Sequence, residues 1–266
     1  MVNKLPVNPN KDLKVCVSSI CFSRLFIAKE LDVAGFLLKC GKLKVDAVEL
    51  CDLTIRSRRR DYLSSLDRLL KKNVIRLQAV AIRNDFSSPN HAANLKSVEH
   101  VSRWIKVASF LSAPVVRIWS GDNSAEDKAF YRIKSCVKKI MPLAEKLKIM
   151  VAMENHGGMS LNPDNLVRLV AQIRSPYFGS CPDFGNFRPG DRYSGFSKLL
   201  KCAFHIHAKS HEFNKAGTEK TIDYQALITT IKKSSYENYL SIEYEGNHNE
   251  LRGTQQTIDL IKRYWS

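Results

Sequence analysis

Eight short runs of strand-forming residues recur along the chain at nearly even spacing: Val15 to Ser19, Ala47 to Cys51, Leu77 to Ile82, Val115 to Trp119, Ile149 to Met153, Phe178 to Cys181, Ala203 to Ala208 and Tyr239 to Ile242. Their starts lie about 32 residues apart, the length of one strand-helix-strand repeat. Between them apolar residues fall three and four apart, as in Leu63, Leu66, Leu69 and Leu70 and again in Val101, Trp104, Ile105 and Ala108. That spacing turns one stripe of each helix towards a sheet. Such alternation leaves two architectures, a doubly wound sheet or a closed barrel. The first strand leads into Ser18-Ser19-Ile20-Cys21-Phe22 and lacks the glycine-rich phosphate loop of a dinucleotide fold. Eight repeats therefore predict an α/β chain forming a single (β/α)8 TIM barrel over residues 1–266, with 1–12 as a poorly structured N-terminal extension.

Composition narrows the class further. Hydrophobic residues make up 44% of the chain and charged ones 26%, which excludes a disordered polymer. No Pro/Gly/Ser-rich linker divides it. The longest apolar runs, such as Ile149 to Met153, are far shorter than the roughly 20 residues of a membrane span, and MVNKLPVNPNKDLK has no apolar core for a signal peptide. A cytoplasmic protein with no membrane partner is expected. Seven cysteines, an odd number with no CxxC pair, read as reduced structural thiols. The 42 Lys+Arg exceed the 26 Asp+Glu, giving a net charge of +16 that nucleic acid, an anionic membrane or a phosphorylated substrate would balance, as would a simply solvated surface.

In a (β/α)8 barrel the chemistry lies at the C-terminal ends of the strands. Strand five ends in Glu154-Asn155-His156, and alternation puts Ala152, Glu154 and His156 on one face, with small Ala152 suited to the interior. Strand six ends in Cys181-Pro182-Asp183. Strand seven sets His205, His207 and Lys209 on one face and Phe204, Ile206 and Ala208 on the other. Strand eight puts Glu243 and Glu245 on the face of Ser241, and strand two adds Glu49. Carboxylates crowded in a dry interior repel one another unless a proton or cation neutralises them. Glu154, Asp183, His207 and Glu243 come from four successive strands. Three oxygen donors with one imidazole suit one divalent metal, Mn²⁺ best, with Mg²⁺, Co²⁺ or Zn²⁺ as alternatives. Any one of these groups could instead be a strand-end ion pair, with Arg83, Arg117 or Lys209 as partner.

The segments VELCD, RIWSG, ENHGG, CPDFGNF, HIHAK and YLSIEYEG, in that order, resemble the sugar phosphate isomerase/epimerase superfamily, the xylose isomerase-like barrels, from about Val15 to Trp265. The resemblance implies that Glu154, Asp183, His207 and Glu243 hold the metal and that Glu154 and Glu243 are the acid/base pair. Glu245 competes with Glu243 from further beyond the strand. Asn186 stands where many epimerases of the family carry a substrate-binding His, and the Arg that often follows the His-x-His is absent from Lys209-Ser210-His211-Glu212-Phe213. Glu49, Arg117, His156, Asn186, His205, Lys209 and Glu245 are the candidate substrate-binding residues.

The expected function is isomerisation or epimerisation of a sugar or sugar phosphate by Glu-mediated proton transfer through a metal-stabilised enediolate. A lyase of the keto-inositol or dehydroshikimate dehydratase type is the alternative. From other classes come an abasic-site endonuclease, disfavoured because His91 and His100 are the only histidines before residue 150, and a non-catalytic binding barrel. The run Arg56 to Arg60 is either a solvated helix start or a clamp for a sugar phosphate. A homodimer or tetramer is the expected assembly, and nucleic acid is not the expected partner.

Overall fold

The computed structural model describes residues 12–122, 127–188 and 190–266. The expected N-terminal extension, Asp12 apart, lies outside the described residues. Eight parallel strands, β1 (Val15–Ser18), β2 (Ala47–Cys51), β3 (Arg76–Ala81), β4 (Val115–Ile118), β5 (Met150–Glu154), β6 (Phe178–Cys181), β7 (Ile206–Ser210) and β8 (Leu240–Tyr244), lie in the order β6-β5-β4-β3-β2-β1-β8-β7. The ribbon closes between its two ends through isolated parallel bridges, Ser180 with Ala203 and Asp183 with His207. Backbone bonds across this seam run from Ser180 N to Cys202 O at 2.9 Å, His207 N to Pro182 O at 3.1 Å and Phe184 N to His207 O at 3.0 Å. The fold is the TIM barrel that the alternation predicts.

Helices α1 (Ser23–Ile27), α2 (Val33–Lys42), α3 (Arg60–Lys72), α4 (His91–Phe110), α5 (Asp127–Leu147), α6 (Pro163–Ile173), α7 (Arg192–Leu200), α8 (Tyr224–Lys232) and α9 (Glu250–Trp265) surround the strands. Side-chain oxygens of Asp32, Asn90, Asn162, Asp223 and Asn249 cap the N-termini of α2, α4, α6, α8 and α9. The apolar stripes fall as their spacing requires: α3 buries Leu63, Leu66 and Leu70, and α4 buries Val101, Trp104, Ile105 and Ala108. The outward strand residues, among them Val17, Val48, Val80, Val116, Val151 and Ile206, join these stripes in one large core.

Inside the barrel Ala79, Val115, Ala152 and Cys181 form a separate small layer. The β2–β3 register shifts between Val48 and Glu49, so that Glu49 aligns with Ala79 of that layer. One expectation is corrected here. Strand β7 begins at Ile206, not Ala203, and Phe204 packs against the inner layer rather than outward with Ile206 and Ala208. The cause is Gly179, whose missing side chain leaves room at the seam: a Cβ there would lie 2.9 Å from Phe204 Cδ2 and 2.4 Å from Cys202 O. All seven cysteines are free and six are buried. Burial pushes the Cys51 and Cys181 thiols up to about 12, which suits packing rather than reactivity.

Candidate functional site

Four donors converge where β5, β6, β7 and β8 end. Glu154, Asp183, His207 and Glu243 offer ligand atoms that all lie within 4.8 Å of one another, and all four residues are buried. His207 Nδ1 is 3.2 Å from Glu243 Oε1, 3.4 Å from Glu154 Oε1 and 3.8 Å from Asp183 Oδ2. His207 Nδ1 and Asp183 Oδ2 are buried without a hydrogen-bond partner. The other oxygen of Asp183 accepts from the backbone N–H groups of Gly185 at 2.6 Å and Asn186 at 3.1 Å, which aims Oδ2 inward.

Beneath this cluster lies a second polar layer. Glu49 Oε2 accepts from His205 Nε2 at 2.6 Å and His207 Nε2 at 3.1 Å, while Oε1 accepts from Ser18 Oγ at 2.8 Å. An ionised carboxylate can only accept, so both imidazoles must present Nε2–H to it. When His207 is neutral, its Nδ1 lone pair therefore points at three carboxyl groups. That arrangement calls for a proton or a cation, and the donor set fits a divalent metal.

Flanking groups fix Glu154 more firmly than Glu243. Glu154 Oε2 accepts from Trp119 Nε1 at 2.8 Å and faces Arg117 Nε at 3.3 Å, and Oε1 accepts from Asn186 Nδ2 at 2.9 Å. Arg117 also donates to Ile82 O at 3.2 Å and lies over the Trp119 ring. Among the described residues Glu243 pairs with His207 at 3.2 Å and with Lys209 at 3.5 Å. Lys209 Nζ is also 3.3 Å from Asp183 and 3.4 Å from Glu245, and it donates to Asn186 Oδ1 at 3.2 Å. His156 stacks on Trp119 with ring centroids 4.1 Å apart and planes 7° from parallel, its Nδ1 unpaired. The turn after it needs Gly157, at φ 68°, where a Cβ would meet Asp122 Oδ1 at 2.5 Å.

Burial works against charge throughout the cluster, and opposite charges overcome it at most positions. Arg117 and His207 hold the Glu154 carboxyl far below the usual range, and His207 with Lys209 lowers Glu243. His207 and His205 hold Glu49 well below its ordinary value. Cys181, Glu243, Glu49 and Glu154 raise His207 well above its own against the effect of burial, whereas burial lowers His205. Asp183 is the exception. Burial, with Glu154 and Glu243 adding to it against Lys209, pushes its carboxyl up to about 7.

The eleven residues singled out from the sequence are thus brought together, but not in one layer. Glu49 and His205, expected to meet substrate, are fully buried behind the cluster, because their strand positions lie a step lower in the barrel. Glu245 lies past the end of β8 with its side chain 37% exposed. Two supports were missed. Ser18 holds Glu49, and Asn155 Oδ1 accepts from Asp183 N at 2.7 Å. Alternation from buried Cys16 could have placed Ser18 inward, whereas Asn155 faces away from Glu154 in the pattern and gave no signal. Of the Arg56 to Arg60 run, Arg60 opens α3 and Arg58 lies over the Trp104 ring of α4 at 5.7 Å. Of the early histidines, His91 opens α4 and His100 faces Asp52 at 3.7 Å.

A family model described as a xylose isomerase-like TIM barrel matches residues 37–264. The alpha subunit of a C-glycoside deglycosidase from Arthrobacter globiformis is 35% identical over 68 residues, 26% of this chain. The match spans only 19% of that relative's length. Among solved structures, the probable 3-DHS dehydratase AsbF from Bacillus anthracis superposes with a TM-score of 0.76 at 14% identity, covering 94% of this chain and 99% of that one. D-psicose 3-epimerase with D-tagatose, from Clostridium cellulolyticum, gives 0.78 at 13% identity over 96% of this chain and 100% of its own. The IolI protein with a zinc atom gives 0.78 at 14% identity over 96% and 100%. At such identities the likeness is one of fold. No helix among the described residues is long and apolar enough to cross a membrane.

Proposed function

Because the chain belongs to the xylose isomerase-like TIM barrel family, we propose that it is a divalent-metal-dependent isomerase or epimerase of a sugar or sugar phosphate, acting in the cytoplasm. The observation that carries this reading is the convergence of Glu154, Asp183, His207 and Glu243 with His207 Nδ1 and Asp183 Oδ2 left without a hydrogen bond. These four residues would hold the metal, Mn²⁺ best suiting the oxygen-rich set, with Mg²⁺, Co²⁺ or Zn²⁺ able to replace it. When bound, a divalent cation supplies charge that polarises a carbonyl and offsets the negative charge left as a neighbouring proton departs.

The remaining work falls to the side chains. Glu243, with the fewer hydrogen bonds, removes a proton next to the carbonyl, and Glu154 or Glu243 returns one. Lys209, Asn186 and His156 bind substrate oxygens, with Glu245 and Arg117 at the edges of the pocket. Glu49 orients the His207 ring, and His205 braces Glu49.

One observation favours a second reading. Glu154 is pinned by Trp119, Asn186 and Arg117, and a pinned carboxylate is poorly suited to swing between two faces of a carbon. A single mobile base, Glu243, with the nearby Lys209 ammonium assisting a departing hydroxyl, would make the enzyme a dehydratase of a keto-sugar or keto-inositol.

Elemental analysis and solvent exchange test both readings. Purified protein should carry about one divalent metal per chain. In D₂O it should incorporate deuterium next to the carbonyl of one member of a panel of ketoses, keto-inositols and their phosphates. Water loss from that substrate would select the dehydratase. Glu243→Gln should abolish exchange while circular dichroism is retained. Three zinc ions per chain, or neither metal nor exchange, would overturn the proposal.

A further inference from the structure

Two cations of the Arg56 to Arg60 run open a site of their own on the outer wall. Arg58 and Arg60 join Arg103 and Lys106 around a cavity of about 570 Å³ between α3 and α4. Its apolar lining is Leu63, Val107 and Phe110. Leu63 and Val107 are buried, but Phe110 is 41% exposed.

Among the described residues, Arg58, Arg60 and Lys106 have no acidic group within ion-pair distance, and Arg103 has only Glu99 at 3.6 Å, itself 69% exposed. Four like charges gathered round one concavity repel each other, and an anion would relieve that. A merely solvated helix face gives no reason for an exposed phenyl ring among the lining. The guanidinium of Arg58 is already braced over Trp104, so it loses less freedom on gripping a ligand. A second copy of this chain is a poor occupant, since each copy carries +16.

We propose that this cavity binds a small organic polyphosphate bearing an apolar or aromatic group. The phosphates lie on Arg58, Arg60, Arg103 and Lys106, whose planar guanidinium forks match phosphate oxygens. The apolar part lies on Leu63, Val107 and Phe110. The volume is within the roughly 300–1,000 Å³ of ordinary ligand pockets. This site is separate from the acidic cluster and does not depend on the reaction assigned to it.

Isothermal titration of the full-length, metal-loaded protein with ATP and with inorganic tripolyphosphate, at about 0.15 M salt, tests the proposal. ATP should bind once per chain and about 10-fold more tightly than tripolyphosphate, the effect of burying one aromatic group. Phe110→Ser should erase that preference while leaving tripolyphosphate binding intact. The double variant Arg58→Glu, Arg103→Glu should weaken ATP by about 30-fold or more with thermal stability and metal content unchanged. Equal affinity for the two probes, no ATP binding, or an ATP affinity indifferent to these variants would overturn it.

Discussion

His207 is shared by two polar layers built from the same residue types, and the layers differ in what they leave undone. Below the ring, Glu49, His205 and Ser18 satisfy both carboxylate oxygens within a fully buried set. Above it, Glu154, Asp183 and Glu243 crowd an imidazole nitrogen that has no hydrogen-bond partner, and one Asp183 oxygen has only the Lys209 ammonium at 3.3 Å among the described residues besides that ring. The lower layer leaves one imidazole nitrogen, His205 Nδ1, without a hydrogen bond but matches its single carboxylate fully, whereas the upper one turns three carboxyl groups on one nitrogen. Acid and imidazole residues are therefore not a site by type alone. The crowding of three carboxyl groups on one imidazole nitrogen, not a lone unsatisfied atom, marks the layer that binds, and the layer with a matched carboxylate aims the ring.

The sharpest way to break this contrast is to remove the shared ring. His207→Ala should abolish measurable metal retention after dialysis and reduce turnover to background, both read by elemental analysis and substrate conversion. Glu49→Gln should act less severely and at one remove. It keeps the shape of the lower layer but no longer enforces Nε2–H on His207, so metal affinity should fall about 10- to 100-fold while saturating metal restores most of kcat. Equal damage from both variants would erase the distinction between the layers.

A smaller effect separates them by pH. Without metal, Asp183 has its carboxyl raised from 3.8 to about 7, so its contribution to stability is present at low pH and lost as pH rises through that value. Glu49, held well below its ordinary value, behaves oppositely: its contribution is present above about 4.5 and lost only as pH falls through its lowered value. The rise in Tm on adding metal to the EDTA-treated protein should therefore be greater at pH 8 than at pH 5.5. A constant increment would show that Asp183 titrates normally in the metal-free form.

Much of this arrangement was legible in the sequence because period-2 alternation and the strand-end rule are both local. They suffice to put Glu154, Asp183, His207 and Glu243 at one height. They do not distinguish height within the barrel, which depends on shear and on events such as the register shift beside Glu49. That is why Glu49 and His205 were assigned to substrate although they lie below the cluster. Phe204 was misplaced for a related reason. Its direction is set by the space at Gly179 on the neighbouring strand, a contact that no pattern within strand seven contains. The arginine run was ambiguous because its partners, Arg103, Lys106 and Phe110, belong to a different helix.

The cylinder is stitched most sparsely where its chemistry is densest. Among the described residues two isolated bridges close the seam beside β6 and β7, and one of them pairs Asp183 with His207. Two of the four donors thus stand on opposite lips of the join, so an ion gripped by both would serve as a rivet, fastening one end of the ribbon of strands to the other while it waits for a substrate.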